Sequence, residues 1–344
     1  MIGHIASSTA CVVCVAAVLN APAHAQIVES DFFNNRQIRL IVGADAGGGY
    51  DTYARVVSSH LARHLPSMGA TIVVQNMPGA GSLVALNYIY NVASKDGSVI
   101  AAINPNSISE PLFSPDKAKY DSRKLGWIGS VARDTEVILA GEKSGISRFE
   151  DLFEKEFLAG STGGASAAST LPRLLNGILG TKIKLVEGYK GANNIIFAIL
   201  AGEVNGYGSA SWSGMRNSHQ ELFNSGKLKV VAHYGASAIP SLSGVPSVIS
   251  YAKTDEQRAV FLLMLSSQET GRPFLTPPDV PRSVLDSYRT AFKLLVKDSA
   301  FLSEMKTRML DVDPLDGEQT QRVVDGIFAT QSQVVQHVRK LLDR

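Results

Sequence analysis

Cysteine occurs at two positions only, Cys11 and Cys14, and nowhere later in the 344 residues. The body of the chain therefore has no disulfide framework, no thiol nucleophile and no thiolate metal site. An excess of charge of one sign is also missing. Lys and Arg number 33 against 31 Asp and Glu, for a net charge of +2. The charges are interspersed, with no basic block or aromatic–basic interleaving, so nucleic acid is not an expected partner. Beyond the N-terminal region no apolar run approaches the ~20 residues that cross a bilayer. Catalytic signatures are absent too. Neither G-x-G-x-x-G nor G-x-x-x-x-G-K-[ST] occurs, and Ser161, Ser166 and Ser209 do not sit in a G-x-S-x-G elbow. His60 and His64 have the i, i+4 spacing of two metal ligands, but no Glu follows His60 and the neighbours are Ser58, Ser59 and Arg63. They read as surface histidines. No catalytic group, metal or cofactor is expected.

The N-terminus carries an apolar stretch from Ile5 to Leu19, followed by the small-x-small site Ala23-His24-Ala25. Residues 1–25 are expected to be a secretion signal that includes both cysteines. The mature protein is then expected to begin at Gln26 and to be exported.

Glycine is concentrated at three junctions. Gly43-Ala44-Asp45-Ala46-Gly47-Gly48-Gly49-Tyr50-Asp51 lies between a strand-like run at Ile38–Val42 and a helix-like run at Thr52–Leu65. Asn76-Met77-Pro78-Gly79-Ala80-Gly81-Ser82 follows a strand at Thr71–Val74, and Ser161-Thr162-Gly163-Gly164-Ala165-Ser166 follows one at Phe157–Ala159. Glycine permits a sharp turn and a close approach to backbone amides. The helix that follows presents unpaired N–H groups and the positive end of its dipole, which together favour an anion. No arginine lies within these turns, so an acidic ligand is expected to be held by amides and hydroxyls.

Strand-like and helix-like runs alternate from Ile38 onward, which predicts α/β lobes with mostly parallel, doubly wound sheets. Residues 104–135 hold Pro105, Pro111 and Pro115, lack periodicity and read as a long crossover. A second alternating block follows, and Val260–Leu265 reads as a lone buried strand before a helical tail. The expected organisation is a discontinuous first domain, 26–130 with 260–344, and a second domain, 131–259, facing each other across a cleft. Ligands of such sheets gather at the carboxyl ends of strands. The candidate ligand contacts are Asp45, Gly48, Gly49, Tyr50, Asp51, Ala80, Gly81 and Ser82 on the first side. Asn104 ends the Val99–Ile103 strand and joins them. On the second side they are Ser161, Thr162, Gly163, Ser166, Tyr189 and Ser209.

With these segments in place the chain resembles the extracytoplasmic solute-binding proteins of tripartite tricarboxylate transporters, the Bug/TctC-like family. The matching segments are Gly47-Gly48-x-x-Asp51 with Ala54-Arg55, Asn76-x-Pro78-Gly79-Ala80-Gly81, Asp96-Gly97 and Ser161-Thr162-Gly163-x-x-Ser166. Tyr189-Lys190-Gly191, Gly202-x-Val204, Val245-Pro246-Ser247 and Thr276-Pro277 continue the series. The resemblance implies a type II periplasmic binding protein: a monomer of two α/β domains that closes on a small organic solute, most often a carboxylate, and delivers it to membrane permease subunits. Gly43, Ala44 and Ala46 stand where the family has prolines and an aromatic, and Asp45 adds a charge. Asn205 stands for a usual Asp and Ser82 for a Gly. A secreted α/β enzyme and a ligand-sensing lobe for a membrane signalling partner are the alternative readings.

Overall fold

The computed structural model describes residues 1–3, 32–164, 166–235 and 239–342. The leader expected over 1–25, apart from its first three residues, and both cysteines lie outside the described residues. Among those described, eleven strands form two sheets. The first contains β1 (Gln37–Val42), β2 (Thr71–Asn76), β3 (Val99–Ala102), β4 (Gly126–Ser130), β10 (Pro273–Thr276) and β11 (Leu315–Asp316), in the order β11-β4-β10-β3-β1-β2. The second contains β5 (Glu136–Gly141), β6 (Phe157–Ser161), β7 (Ile183–Glu187), β8 (Gly206–Ser211) and β9 (Leu228–His233), in the order β7-β6-β8-β5-β9. The longer helices are α1 (Gly49–Leu61), α2 (Leu83–Asn91), α3 (Ala167–Leu179), α4 (Ala192–Ala201), α5 (Trp212–Asn224) and α6 (Asp255–Leu265). The C-terminal region adds α7 (Arg282–Leu295), α8 (Ser299–Thr307), α9 (Gly317–Phe328) and α10 (Ser332–Leu341).

The central strands are apolar because both faces are covered. Ile38, Leu40, Ile41 and Val42 of β1 and the whole of β3 are buried, whereas edge strand β2 alternates with exposed positions. Tyr288, Phe292 and Leu295, three to four residues apart on α7, close one face. The last helix, α10, lies against α3 and α6, so the chain end touches elements beside the second sheet.

Three expectations are corrected. Val260–Leu265 belongs to helix α6, in which Thr254 Oγ1 accepts from the Gln257 amide as an N-cap. The segment 104–135 is not a bare crossover, since it contains β4, a strand inside the first sheet. The sheets are also mixed. Strand β1 pairs in parallel with β2 and β3, and β6 with β7 and β8, while β10 is antiparallel to β3 and β4 and β5 is antiparallel to β8 and β9.

The chain passes from the first sheet to the second near 131–135 and returns near 266–272. The two crossings run side by side, joined by Val131 N–H to Arg272 O at 3.1 Å and Arg272 N–H to Ala132 O at 3.0 Å. Among the described residues no helix is long and apolar enough to cross a membrane.

Candidate ligand-binding cleft

Parallel strands end at a common edge, so the loops after β1, β2 and β3 meet. Ser82 ties them together: its Oγ donates to the Gly43 carbonyl at 2.8 Å and accepts from the Asn104 amide at 2.9 Å. A side chain at Gly43 would overlap Ser82, so glycine there permits this close approach. Gly79, Ala80, Gly81 and Ser82 all have positive φ, an unusual run that includes two non-glycine residues. Ser82's two hydrogen bonds hold the strained turn.

A cavity of about 160 Å³ lies between these loops and the strand ends of the second sheet. Among the described residues four helix N-caps line it: Gly48 of α1, Ser166 of α3, Gly191 of α4 and Ser211 of α5. At the first three, no cap side chain bonds a first-turn amide. Those amides and four helix dipoles make the cavity favourable for an anion. Aliphatic and aromatic walls come from Pro78, Ala80, Ala167, Ala168, Tyr207 and Met215.

Of the candidate residues, the cavity brings together Asp45, Gly48, Gly49, Tyr50, Ala80, Gly81, Asn104, Thr162, Ser166 and Ser209. The other five do not line it. Asp51 accepts from the Gly47 amide, Arg55 Nε and Asn76 Nδ2, each at 2.8 Å. Burial opposes its ionisation, yet hydrogen bonds from Arg55, Gly47 and Asn76 hold its carboxyl below the usual range. Asp51 thus braces the glycine loop. Ser82 is the staple described above. Ser161 Oγ lies 2.5 Å from Ser169 Oγ, which donates to Glu187 at 2.7 Å, an internal network. Gly163 forms the turn at φ +135°, and its carbonyl accepts from both the amide and the hydroxyl of Ser166. Tyr189 packs beside Gly160 and joins the core of the second lobe. Among the described residues no arginine lines the cavity.

Asp45 reaches across the cleft to Gly191, where an added Cβ would strike its carboxylate. Burial pushes the Asp45 carboxyl up, and Lys190 partly opposes that shift.

Sequence reasoning does not select Glu136, Lys190, Gly191, Ser211 or Gly214, all of which line the cavity. Glu136 escapes because a parallel sheet directs attention to strand C-termini. Strand β5 runs antiparallel to β8, with Glu136 opposite Ser211, so its first residue lies at the cleft edge. The signal in the sequence is an acidic residue opening an apolar run, Glu136-Val137-Ile138-Leu139. Glu136 is 6% exposed and accepts from Ser209 Oγ at 2.8 Å. Burial, reinforced by Asp134, pushes its carboxyl from 4.5 up to about 7. The folded protein therefore holds this proton more tightly than the unfolded chain. The stability linked to it is full below pH ~4.5 and is lost as pH rises through about 7. Glu136→Gln is expected to flatten that decline and to exceed wild type at pH 8 by at most about 3 kcal/mol. Urea titrations from pH 4.5 to 8 check this, and parallel pH profiles for the two proteins would contradict it.

Behind the cavity Arg272 is fully buried. Its Nη2 lies 2.6 Å from Asp134 Oδ2 and donates to Ser211 Oγ at 2.6 Å and Ser213 Oγ at 2.8 Å. The rings of Tyr50 and Tyr53 face its guanidinium at 4.4 and 4.8 Å. This cluster joins the side-by-side crossings to the starts of α1 and α5.

The histidine pair is split between two acids. His60 Nε2 lies 2.7 Å from Glu304 and His64 Nε2 lies 2.9 Å from Asp298. His60 is buried, which corrects the surface reading for that residue. Among the described residues no group of three or more His, Cys, Asp or Glu gathers as a metal site.

Comparison with known proteins places these features in a family. The model of the tripartite tricarboxylate transporter family receptor matches residues 53–339. A UPF0065 protein of Bordetella bronchiseptica is 24% identical over 312 residues, covering 88% of this chain and 82% of that protein. The periplasmic binding protein BugD superposes with a TM-score of 0.70 at 20% identity, over 89% of this chain and 97% of its own. Rpa4515 of R. palustris, solved with adipate, gives 0.69 at 18% identity, over 88% and 97% of the two chains. MatC of Rhodopseudomonas palustris, solved with bound malate, gives 0.67 at 16% identity, over 89% and 99%. The fold is the two-lobed α/β fold of type II periplasmic binding proteins. The chain belongs to the tripartite tricarboxylate transporter receptor family, a family of solute-binding proteins and not of enzymes.

Proposed function

We propose that the mature protein is a monomeric periplasmic receptor that captures a small carboxylate-bearing solute and presents it to the membrane subunits of a tripartite tricarboxylate-type permease. One observation carries this reading: four helix N-caps, drawn from both lobes, converge on one cavity. Hydrogen bonds to a charged acceptor contribute roughly 1.5–3 kcal/mol each. A carboxylate bridging two lobes therefore rewards their closure. The adipate and malate in two structural neighbours support the same ligand class. Export follows from the leader, with cleavage after Ala25.

Native mass spectrometry of the purified protein, followed by analysis of the solute released on unfolding, tests the proposal. A carboxylic acid, recovered unchanged, is the expected result. An uncharged solute, or an acid converted on incubation, would count against it. N-terminal sequencing of the exported protein is expected to read from Gln26.

A further inference from the structure

The cavity holds a buried carboxyl group that forms no ion pair among the described residues, Arg272 acting on it only through space. Asp45 and Lys190 oppose each other from facing lobes. Arg272 draws the Glu136 carboxyl down through space, but its Nη2 is taken by Asp134 and the hydroxyls of Ser211 and Ser213. Glu136 remains. Its Oε2 accepts from Ser209 Oγ, while Oε1 has no hydrogen bond among the described residues. The side chain is more than nine-tenths buried and lines the cavity. Nearby, the Tyr234 hydroxyl donates to the Gly208 carbonyl, so it offers Glu136 no proton.

A buried carboxylate with one open oxygen calls for a donor, preferably a charged one. The helix starts already suit the solute's own carboxylate. A solute carboxylate placed at Glu136 meets a like charge unless that carboxyl keeps its proton, whereas a solute cation draws it into the charged form. A hydroxyl would fill the open oxygen but leave the charge uncompensated, whereas an ammonium supplies both the donor and the countercharge. We propose that Glu136 is a specificity determinant that receives an ammonium group, so that the solute class is an amino-bearing carboxylate. The inference rests on the carboxylate reading above and narrows it.

Calorimetry with matched acids tests it: succinate against aspartate, glutarate against glutamate, butyrate against 4-aminobutyrate, with malate as the hydroxyl case. In each pair that binds, the amino member is expected to bind wild-type protein at least about tenfold tighter, the value of one hydrogen bond to a charged group. In Glu136→Gln, with circular dichroism unchanged, that ratio is expected to fall close to one. Amine-free acids binding wild type as tightly as their amino partners would overturn the proposal and leave the carboxylate reading intact. Malate binding more tightly than aspartate, or a ratio that survives in Glu136→Gln, would also overturn it. Binding of none of these acids would remove the carboxylate reading and this inference together. The wild-type comparison decides the question even if the variant does not fold.

Discussion

Arg272→Ala is expected to destabilise the protein by about 3–5 kcal/mol, the range for removing one partner of a buried ion pair. Asp134, whose side chain is 8% exposed, would lose its guanidinium partner. Further contacts vanish with it: the bonds to Ser211 and Ser213 are lost, and the rings of Tyr50 and Tyr53 lose the cation they face. These residues belong to the two crossings, 131–135 and 266–272, and to the N-termini of α1 and α5, so the loss loosens the place where the lobes join. A paired change, Arg272→Met with Asp134→Leu, is expected to recover most of the stability, because it removes both charges of the pair. Urea denaturation measures both. A single-variant loss below about 1 kcal/mol, in the range of an exposed pair, would refute this role.

Gly49→Val is expected to weaken solute binding by roughly 5- to 150-fold, corresponding to about 1–3 kcal/mol of overpacking in the closed form. Gly49 opens α1 on the first lobe and faces Gly214 in the first turn of α5 on the second. A Cβ on Gly49 would sit 3.3 Å from the Gly214 Cα and 3.7 Å from Arg272 Nη2. Backbone cannot swing aside as a flexible side chain does, so the added methyl groups wedge the lobes apart. Gly49→Ala is expected to show a smaller loss of the same sign. Calorimetry with an acid that binds wild type, alongside thermal unfolding, separates the two effects. Wild-type affinity in Gly49→Val would mean that the lobes do not approach here on binding.

The glycine junctions are the most legible part of the site. A turn needing positive φ or a close approach writes glycine into the sequence, and Gly43, Gly47, Gly79 and Gly81 are all visible on that ground. What lies behind the junctions is harder to read. Asp51 and Ser82 are polar residues in the right loops, but their hydrogen bonds turn inward to brace the backbone, a choice that depends on three strands meeting. Glu136 depends on strand direction, which periodicity does not encode. Helix α6 reads as a strand because Val260-Phe261-Leu262-Leu263-Met264-Leu265 is apolar throughout; only Leu262 is notably exposed, so no polar face marks the helical period. Its Thr254 cap, three residues before Gln257, is the available sign. Strand β4, Gly126-Trp127-Ile128-Gly129-Ser130, is short, glycine-containing and buried on both faces, and so carries no alternation.

Where the solute's carboxylate lies is measured directly by a crystal structure with a bound acid. The expected result places its oxygens about 2.7–3.1 Å from first-turn amides of α3 on one lobe and from amides of residues 48–50 or 79–81 on the other. A carboxylate held by Lys190 or an arginine side chain, with those amides left to water, would contradict it.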